Sequence, residues 1–326
     1  MKFFLLKNLR GTPFTSEISI KLFRKFGFSM TDKIHDASLI ISYNYKYLVP
    51  YALLYPNKKF LVWTNEPRFD TTFQSKINFP FNYSEIIIMN VFGTDVFWHN
   101  LHFVASYHFD NSNNLGIDIT KEIPHVSYKS YQLSNKINKT AAFFTNTLHQ
   151  KTALIKDGLD IDLTRKRCMY ALEGNRRNCL DIFGNKWEDG IAMANSGYGF
   201  EKGSPWWMDK IELLKSYKFN LCLENTAFGF YTTEKLWHSI HSATLPIYSS
   251  LNSNIYTTFP KNSFIDIEDF LNEDDLFNSL SSMKMDEYLE RLNLCIDVYN
   301  SAIKSKAEIY HSNASLVVDK IVDRVL

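Results

Sequence analysis

Short apolar runs alternate along the chain with stretches in which apolar residues recur at helical spacing. A short apolar run bounded by polar residues is typical of a buried strand, whereas recurrence at helical spacing is typical of a helix that packs on one face. In the first part of the chain these patterns predict strands at Lys2–Leu6, Ala37–Ser42, Lys59–Trp63 and Glu85–Met89, and a helix at Ile18–Phe26.

The second part of the chain repeats this alternation. The predicted strands are Ala141–Thr145, Leu180–Phe183, Phe219–Leu223 and Leu245–Tyr248. The predicted helices are Thr164–Glu173, Asp209–Leu214, Thr233–Ser242 and one near Asp269–Met283. Because buried strands that alternate with helices form parallel sheets covered by helices, we predict an α/β fold.

The length of 326 residues suits two domains better than one. The polar stretch Tyr128–Thr140 is rich in Ser, Asn and Lys, and we expect it to be the linker. From Asp286 to Leu326 the apolar residues keep helical spacing, which predicts a helical tail that packs back across the molecule. We therefore predict domains over 1–135 and 136–285, followed by the tail over 286–326.

Charge and cysteine usage narrow the class of protein. Lys and Arg (36) nearly balance Asp and Glu (35), so the positive field of a nucleic-acid-binding protein is absent and no nucleic-acid partner is expected. The four cysteines have neither CxxC nor zinc-ligand spacing, which indicates a reducing compartment. The apolar run Met1–Leu6 is too short for a signal peptide or a membrane anchor. We expect a cytoplasmic protein, with peripheral membrane association and oligomeric state left open.

The most informative segment is Lys218–Trp237, which predicts a buried strand, a polar turn with one glycine, and a helix opened by Thr232 and Thr233. A helix that begins at the carboxyl edge of a sheet presents free backbone N–H groups there, and such edges bind nucleotides. Lys235 lies in the first turn, where the helix dipole disfavours a cation. A bound diphosphate would remove this conflict; the alternative is a solvated lysine beside a capping threonine.

The residues Asn220–Thr226, the run Tyr-x-Thr-Glu-Lys-Leu-Trp that ends at Trp237, and Leu245–Tyr248 resemble the signature of the α-1,3/4-fucosyltransferases. Pro260–Phe270 fits the same pattern. This resemblance to a GT10-type family implies a GT-B fold, in which two Rossmann-like domains face a cleft. It also implies GDP-fucose as donor, inversion at the anomeric carbon, and no obligatory metal, although a divalent metal could be stimulatory.

The resemblance assigns the N-terminal domain to the acceptor and the C-terminal domain to the donor. It implies that the donor-binding residues are Glu224, Asn225, Tyr231, Thr233 and Glu234, and that Lys235 holds the phosphates. Ser249–Ser250 departs from the family, in which many members have an aromatic residue or glycine after the strand. This departure concerns the packing beside the guanine.

Arg165–Leu172 resembles the Arg-rich helix of the same family. Arg165 aligns best with its phosphate-binding arginine, and Arg167 is a near rival. Departure of GDP develops negative charge, and without a metal this charge must be neutralised by Arg and Lys side chains. Taken alone, the helix could equally have a solvated basic face.

A catalytic base is also required, because the attacking hydroxyl must lose its proton. Glu66 directly follows the predicted strand Lys59–Trp63 and resembles the glutamate that is the proposed base of the family. Asp70 is the nearest rival, and Arg68 is expected to orient the carboxylate. Asn65, Arg68, Trp98 and His99 are expected to line the acceptor site, and the resemblance implies an acceptor of the N-acetylglucosamine or lactosamine type.

Two metal-like patterns are discounted. Asp160-Ile161-Asp162 spells the DxD of metal-dependent transferases, but it immediately precedes a predicted helix, where Asp162 and Thr164 are natural caps. His238 and His241 lack a third ligand. The sequence thus predicts an inverting α-1,3-fucosyltransferase with no metal site. The alternatives are a transferase with another GDP-sugar donor and a non-catalytic protein that binds GDP-sugars or glycans.

Overall fold

A computed structural model represents the chain. It describes residues 1–7, 9, 12–64, 66–69, 74–78, 85–90, 96, 99–101, 121–150, 153–194 and 206–326. The predicted acceptor residues Asn65 and Trp98, and the rival base Asp70, lie outside the described residues. The chain divides into two compact units. The first comprises Met1–Ser112, Phe228–Tyr231 and Lys306–Leu326, and the second comprises Asn113–Ala227 and Thr232–Ser305.

The described part of the first unit is built on a six-stranded sheet. Its strands are β1 (Lys2–Leu5), β2 (Ser29–Met30), β3 (Leu39–Ser42), β4 (Lys59–Thr64), β5 (Lys76–Asn78) and β6 (Glu85–Asn90), and its helices include α1 (Glu17–Lys25) and α2 (Tyr45–Leu54). Short 3-10 turns lie at Ile34–Asp36 and Pro67–Phe69. The strand order is β2-β1-β3-β4-β6-β5, and all neighbours are parallel except β5 and β6.

Four strands of this sheet, β1, β3, β4 and β6, form where the apolar runs predicted them, whereas the short strands β2 and β5 were not predicted. β3 and β4 are apolar on both faces, as expected for parallel strands covered on both sides. Ile40, Phe60 and Ile88 pack with Leu48 and Ala52 of α2 in one core cluster. The order β2-β1-β3-β4 matches the flavodoxin-like arrangement, in which the connections reverse direction between β1 and β3.

The second unit contains another six-stranded sheet in its described part. The strands of this unit are β7 (Ile137–Phe143), β8 (Ile155–Lys156), β9 (Leu159–Asp160), β10 (Leu180–Phe183), β11 (Ala192–Ala194), β12 (Tyr217–Leu221), β13 (Leu245–Tyr248) and β14 (Ile265–Asp266). Its helices are α3 (Tyr128–Leu133), α4 (Thr164–Arg176), α5 (Trp206–Lys215), α6 (Glu234–His241), α7 (Glu273–Ser282) and α8 (Met285–Lys304), with 3-10 turns at Ile255–Thr257 and Ile267–Asp269.

The order of the large sheet is β11-β10-β7-β12-β13-β14, and every pair is parallel; β8 and β9 form a separate hairpin. Numbered from β7 in chain order, this is the 3-2-1-4-5-6 arrangement of the Rossmann fold. The α/β prediction is therefore confirmed, and each unit has the parallel, Rossmann-like sheet that the GT-B expectation requires of it.

Glycine is required at one helical position of this unit. Gly174 lies inside α4, where glycine normally weakens a helix. A Cβ atom there would come within 2.5 Å of the Phe277 ring of α7 and 2.7 Å of the Leu180 side chain. The missing side chain therefore lets α4 pack closely on β10 and α7.

The predicted linker and the predicted tail differ in detail from the structure. The stretch Tyr128–Thr140, predicted as a linker, contains α3 and the first half of β7. The predicted tail is two helices, α8 and α9 (Lys306–Val325), separated at Ser305. α8 belongs to the second unit, and α9 packs on α1 in the first. No helix in the described ranges combines the length and the hydropathy needed to cross a membrane.

Candidate functional site

The strand order of the second unit reverses between β7 and β12. Open parallel sheets bind their ligands outside the carboxyl ends of the strands at such a switch point. β7 ends at Phe143 and β12 ends at Leu221, so the residues that directly follow them begin at this edge. The predicted donor-site residues Glu224 and Asn225 are among them.

Glu224 anchors the amino end of α6. It is 2% exposed, and its carboxylate accepts hydrogen bonds from the Thr233 N–H (2.6 Å), the Thr233 hydroxyl (2.8 Å) and the Lys235 ammonium (3.0 Å). The Tyr248 hydroxyl donates to it at 3.4 Å. A buried carboxylate without such partners would cost several kcal/mol, on the order given for unpaired ions. Glu224 is therefore a rigid support for the first turn of α6.

Lys235 is held between two carboxylates. Its Nζ lies 3.0 Å from Glu224 Oε2 and 3.5 Å from Glu234 Oε1, and it donates to the Thr233 hydroxyl at 2.8 Å. Burial alone would lower the pKa of Lys235, but the two carboxylates outweigh it and raise that pKa. The ammonium is therefore permanently charged. The two carboxylates offset the unfavourable interaction of the Lys235 ammonium with the helix dipole. The Lys235 side chain is 19% exposed, so a further anion can reach it.

The first turn of α6 is fixed to the sheet beneath it. The Asn220 side chain of β12 donates to the Ser239 hydroxyl at 2.7 Å, and that hydroxyl donates to the Lys235 carbonyl at 2.8 Å. Trp237 is fully buried against Phe259. Lys235 thus projects from a turn whose backbone is held on both sides, which is what a preorganised charged group needs.

A second lysine, which the sequence analysis missed, lies in the same region. Lys210 of α5 is 4% exposed, and its Nζ is 5.7 Å from the centre of the Phe143 ring, at the end of β7. Burial lowers the pKa of Lys210 to about 8. One signal could have found it: Lys210 lies four residues before the buried Leu214 and so shares its apolar stripe.

Glu234 is ionised by its surroundings. Burial would raise the pKa of Glu234, but the charges of Lys235 and then Lys210 lower it to about 2. A carboxylate that stays charged at every physiological pH acts only as a hydrogen-bond acceptor. Glu234 can therefore receive hydroxyl groups of a bound ligand, as the resemblance implied for it.

The two candidate arginines of α4 have different environments. Arg165 is exposed, whereas Arg167 is 8% exposed and its guanidinium lies 4.9 Å from the centre of the Phe144 ring, directly after β7. The positive charge of Arg167 also reaches Lys235, where it acts to lower the pKa against the larger effect of the two carboxylates. The structure thus brings Arg167 toward Lys235 and leaves Arg165 on the outer face of the helix.

The loop after β12 is tied to the start of α4. The Leu163 N–H donates to the Asn225 carbonyl at 3.0 Å, and Asp162 and Thr226 form an isolated antiparallel bridge. The Asn225 side chain accepts from the Thr226 hydroxyl at 2.9 Å. The two stretches singled out in the sequence are therefore joined by backbone hydrogen bonds. Tyr231 is 3% exposed, and its N–H donates to the Phe228 carbonyl.

The predicted base lies at the carboxyl edge of the sheet in the first unit. Glu66 is half-buried just after β4, and its carbonyl accepts a hydrogen bond from the Thr64 hydroxyl at 2.6 Å. Arg68 is half-buried in the next turn.

His99, an expected acceptor residue, is engaged within the same unit. Its Nδ1 accepts from the Leu101 N–H at 3.2 Å, so its Nε2 carries the proton and donates to Asn313 of α9 at 3.0 Å. Burial lowers the pKa of His99. The ring therefore stays neutral and connects its loop to α9.

The metal-like patterns have structural roles. Asp162 accepts the Thr164 N–H at 2.7 Å directly before α4, but the N-cap residue is Leu163, which makes no side-chain cap hydrogen bond, so the predicted caps at Asp162 and Thr164 are wrong in position. Asp160 accepts the N–H of Asp162 at 3.0 Å. His241 bonds to the Tyr299 hydroxyl at 2.9 Å. In the part of the chain that the structure describes, no three His, Cys, Asp or Glu side chains are grouped closely enough to hold a metal ion.

Residues 176–293 match the family model of the glycosyltransferase family 10 (fucosyltransferase) C-terminal domain. The α-(1,3)-fucosyltransferase FucT of Helicobacter pylori is 42% identical over 67 residues, which are 21% of this chain and 14% of that protein. The α-(1,4)-fucosyltransferase of Arabidopsis thaliana is 43% identical over 61 residues, 18% of this chain and 15% of that protein. The aligned segments are thus a small part of these relatives.

A crystal structure of an α1,3-fucosyltransferase with GDP-fucose aligns over 94% of this chain and 90% of that one, with a TM-score of 0.46 and 18% identity. An α-glucosyltransferase in complex with UDP aligns with a TM-score of 0.39 and 10% identity over 99% and 98% of the two chains. The segment with the sequence resemblance, Lys218–Phe270, lies inside the residues matched by the family model, so the resemblance is confirmed over this part.

Proposed function

We propose that this chain, whose residues 176–293 match the family model of the glycosyltransferase family 10 (fucosyltransferase) C-terminal domain, is an inverting fucosyltransferase that uses GDP-fucose. One observation carries the proposal: Lys235 is fixed and charged at the switch point of a Rossmann-like sheet, inside the matched segment. Such an ammonium, at the amino end of a helix whose dipole favours negative charge, suits the diphosphate of a nucleotide-sugar.

The donor is held by groups with distinct tasks. Lys235 and Arg167 contact the diphosphate oxygens and take up the charge that develops as GDP departs. Glu234 accepts hydrogen bonds from ribose or fucose hydroxyls, and Lys210 keeps Glu234 ionised from behind. Because these cations are preorganised in a partly buried site, they stabilise the leaving group without a resident metal ion.

The transfer is a single displacement. The acceptor hydroxyl gives its proton to the Glu66 carboxylate, and its oxygen forms a bond to C1 of fucose. The bond between C1 and the β-phosphate oxygen breaks, and its electron pair leaves with GDP. Attack on the face opposite the leaving group inverts the configuration at C1. The sequence resemblance implies an acceptor of the N-acetylglucosamine or lactosamine type, and the name of the Helicobacter pylori relative suggests an α-1,3 linkage.

Calorimetry on the full chain with GDP, UDP and CDP, followed by a transfer assay with GDP-fucose and GDP-mannose, tests this function. We expect GDP to bind at least about tenfold more tightly than UDP, a difference of about 1.4 kcal/mol, and fucose to be transferred. Transfer of mannose alone would identify another GDP-sugar donor. Binding of GDP without turnover on any acceptor would indicate a non-catalytic protein.

The two arginines of α4 provide a matched pair of variants. Arg167→Ala is expected to lower kcat for GDP-fucose about 30- to 1,000-fold, because one preorganised cation contributes about 2–4 kcal/mol to such a transition state. Arg165→Ala removes the same group two residues away from an exposed position, and we expect a change below about threefold, as for surface substitutions.

Thermal unfolding of both variants separates catalysis from folding, since Arg167 also packs on Phe144. A larger loss of kcat in Arg165→Ala than in Arg167→Ala would restore Arg165 as the phosphate-binding residue.

A further inference from the structure

The first unit has a switch point of its own. Its strand order β2-β1-β3-β4 reverses direction between β1 and β3, so a crevice is expected where these strands end. β1 ends at Leu5 and β3 ends at Ser42. The Leu6 N–H donates to the Ile41 carbonyl at 2.8 Å, which keeps the two strand ends together. Lys7 lies two residues after the end of β1, and Tyr43 directly follows β3.

These residues form an aromatic and cationic cluster with α2. Lys7 Nζ lies 3.5 Å from the centre of the Tyr47 ring, and the Tyr47 ring lies 5.2 Å from the Tyr43 ring at an angle of 62°. Both rings are half-buried, while Lys7 is exposed. The hydrogen bond with Tyr43, and then the nearby Lys7, lower the pKa of Tyr47. The cluster is therefore two half-buried aromatic rings with the exposed Lys7 ammonium beside them.

The backbone at Lys7 is strained. Its φ of 70° lies in the left-handed region, which costs a residue with a side chain on the order of 1–2 kcal/mol. Strain of this kind is concentrated at ligand sites, where the surrounding structure holds it in place. Here the strained residue follows the carboxyl end of β1, next to the switch point, and its ammonium lies over the Tyr47 ring.

The charge around this cluster has one sign. Lys46 lies in the first turn of α2, which contains no acidic residue although the helix dipole favours one there. No carboxylate of the described residues lies within ion-pair distance of Lys7 or Lys46. An anion at the amino end of α2 would therefore meet the positive end of the helix dipole and no acidic residue of the first turn.

We propose that this cluster is the acceptor subsite of the proposed fucosyltransferase and that it selects a saccharide carrying an anionic group. The Tyr43 and Tyr47 rings pack on the apolar face of a sugar ring, as aromatic side chains do in amphipathic sites. The exposed Lys7 ammonium pairs with a carboxylate or phosphate substituent of that sugar. Glu66 follows β4, the next strand of the same sheet, and so lies at the same edge.

Binding of matched sugars to the full chain tests this inference. The probes are N-acetylglucosamine against its 6-phosphate, and glucose against glucuronic acid, titrated by saturation-transfer NMR. Saturating GDP is present in one series so that no phosphate binds the donor unit. We expect each acidic sugar to bind about fivefold more tightly than its neutral partner at low salt, the upper range for one exposed ion pair. This preference should fade near 1 M salt.

Variants locate the effect. Lys7→Gln should abolish the preference for acidic sugars and leave GDP affinity unchanged, whereas Lys25→Gln, an exposed lysine of α1 in the same unit, should keep it. Tyr47→Phe preserves the ring and should bind sugars normally. Tyr47→Leu removes the ring, so it should bind neither the acidic nor the neutral sugar of each matched pair. Equal binding of acidic and neutral sugars, no sugar binding, or an unchanged preference in Lys7→Gln would overturn the inference.

Preference for the phosphate but not for the carboxylate would identify the sugar phosphate as the source of the anion. The proposed function and the subsite fail in different ways. If GDP does not bind but Lys7 still discriminates between the sugars, the donor assignment is wrong and the saccharide subsite stands.

Discussion

Glu66→Gln is expected to lower kcat with GDP-fucose about 100- to 10,000-fold, the range for loss of a general base. Glutamine preserves the size of the side chain and its place after β4, but it cannot accept the proton of the attacking hydroxyl. KM for GDP-fucose should change little, because donor binding is assigned to the second unit. Steady-state kinetics with varied donor and fixed acceptor measure both constants.

Two further variants make the Glu66 result specific. Glu85→Gln changes an exposed glutamate at the amino end of β6, the opposite edge of the same sheet, where it pairs with Lys76. We expect it to keep kcat within about twofold, as for surface substitutions. Asp70→Asn tests the rival base. Normal kcat in Glu66→Gln together with a severe loss in Asp70→Asn would transfer the role to Asp70.

Lys235→Ala is expected to lower kcat about 30- to 1,000-fold, because it removes about 2–4 kcal/mol of leaving-group stabilisation. The same change leaves the buried Glu224 carboxylate without its cation, so the protein should also lose about 3 kcal/mol of stability. Calorimetric titration with GDP and chemical unfolding measure the two effects separately.

A double variant separates catalysis from folding at this pair. Glu224→Gln in the Lys235→Ala background removes the unpaired charge, so stability should partly return while kcat stays low. Lys139→Ala is the matched control: its ammonium pairs with the largely buried Asp181 at 2.9 Å in the same sheet, but in the amino-terminal halves of β7 and β10. It should lower stability and leave kcat unchanged. Full recovery of kcat in the double variant would show that Lys235 is structural.

Much of the fold could be predicted from the local pattern. The strands at 39–42, 180–183 and 245–248 are buried on both faces, as is 59–64 after Lys59, and short, largely apolar runs of this kind are typical of parallel strands inside a sheet. The start of α6 was also predictable, because threonine is common directly before a helix, although the Thr233 hydroxyl donates to Glu224 and does not cap the helix. The prediction of a linker at 128–140 was wrong in detail, because the exposed helix α3 and the exposed first residues of β7 are both polar.

The sequence by itself determined the class of the molecule and the residues of the donor motif, because the strands, the turn and the helix of 218–237 are specified by neighbouring residues. Only the tertiary structure decided that Arg167 rather than Arg165 turns toward Lys235, since two residues on a helix point about 200° apart and the buried face depends on what the helix packs against. It also brought Lys210 to the site and joined Lys7 to Tyr47. Contacts between residues far apart in the chain depend on how the elements pack, which no local pattern encodes.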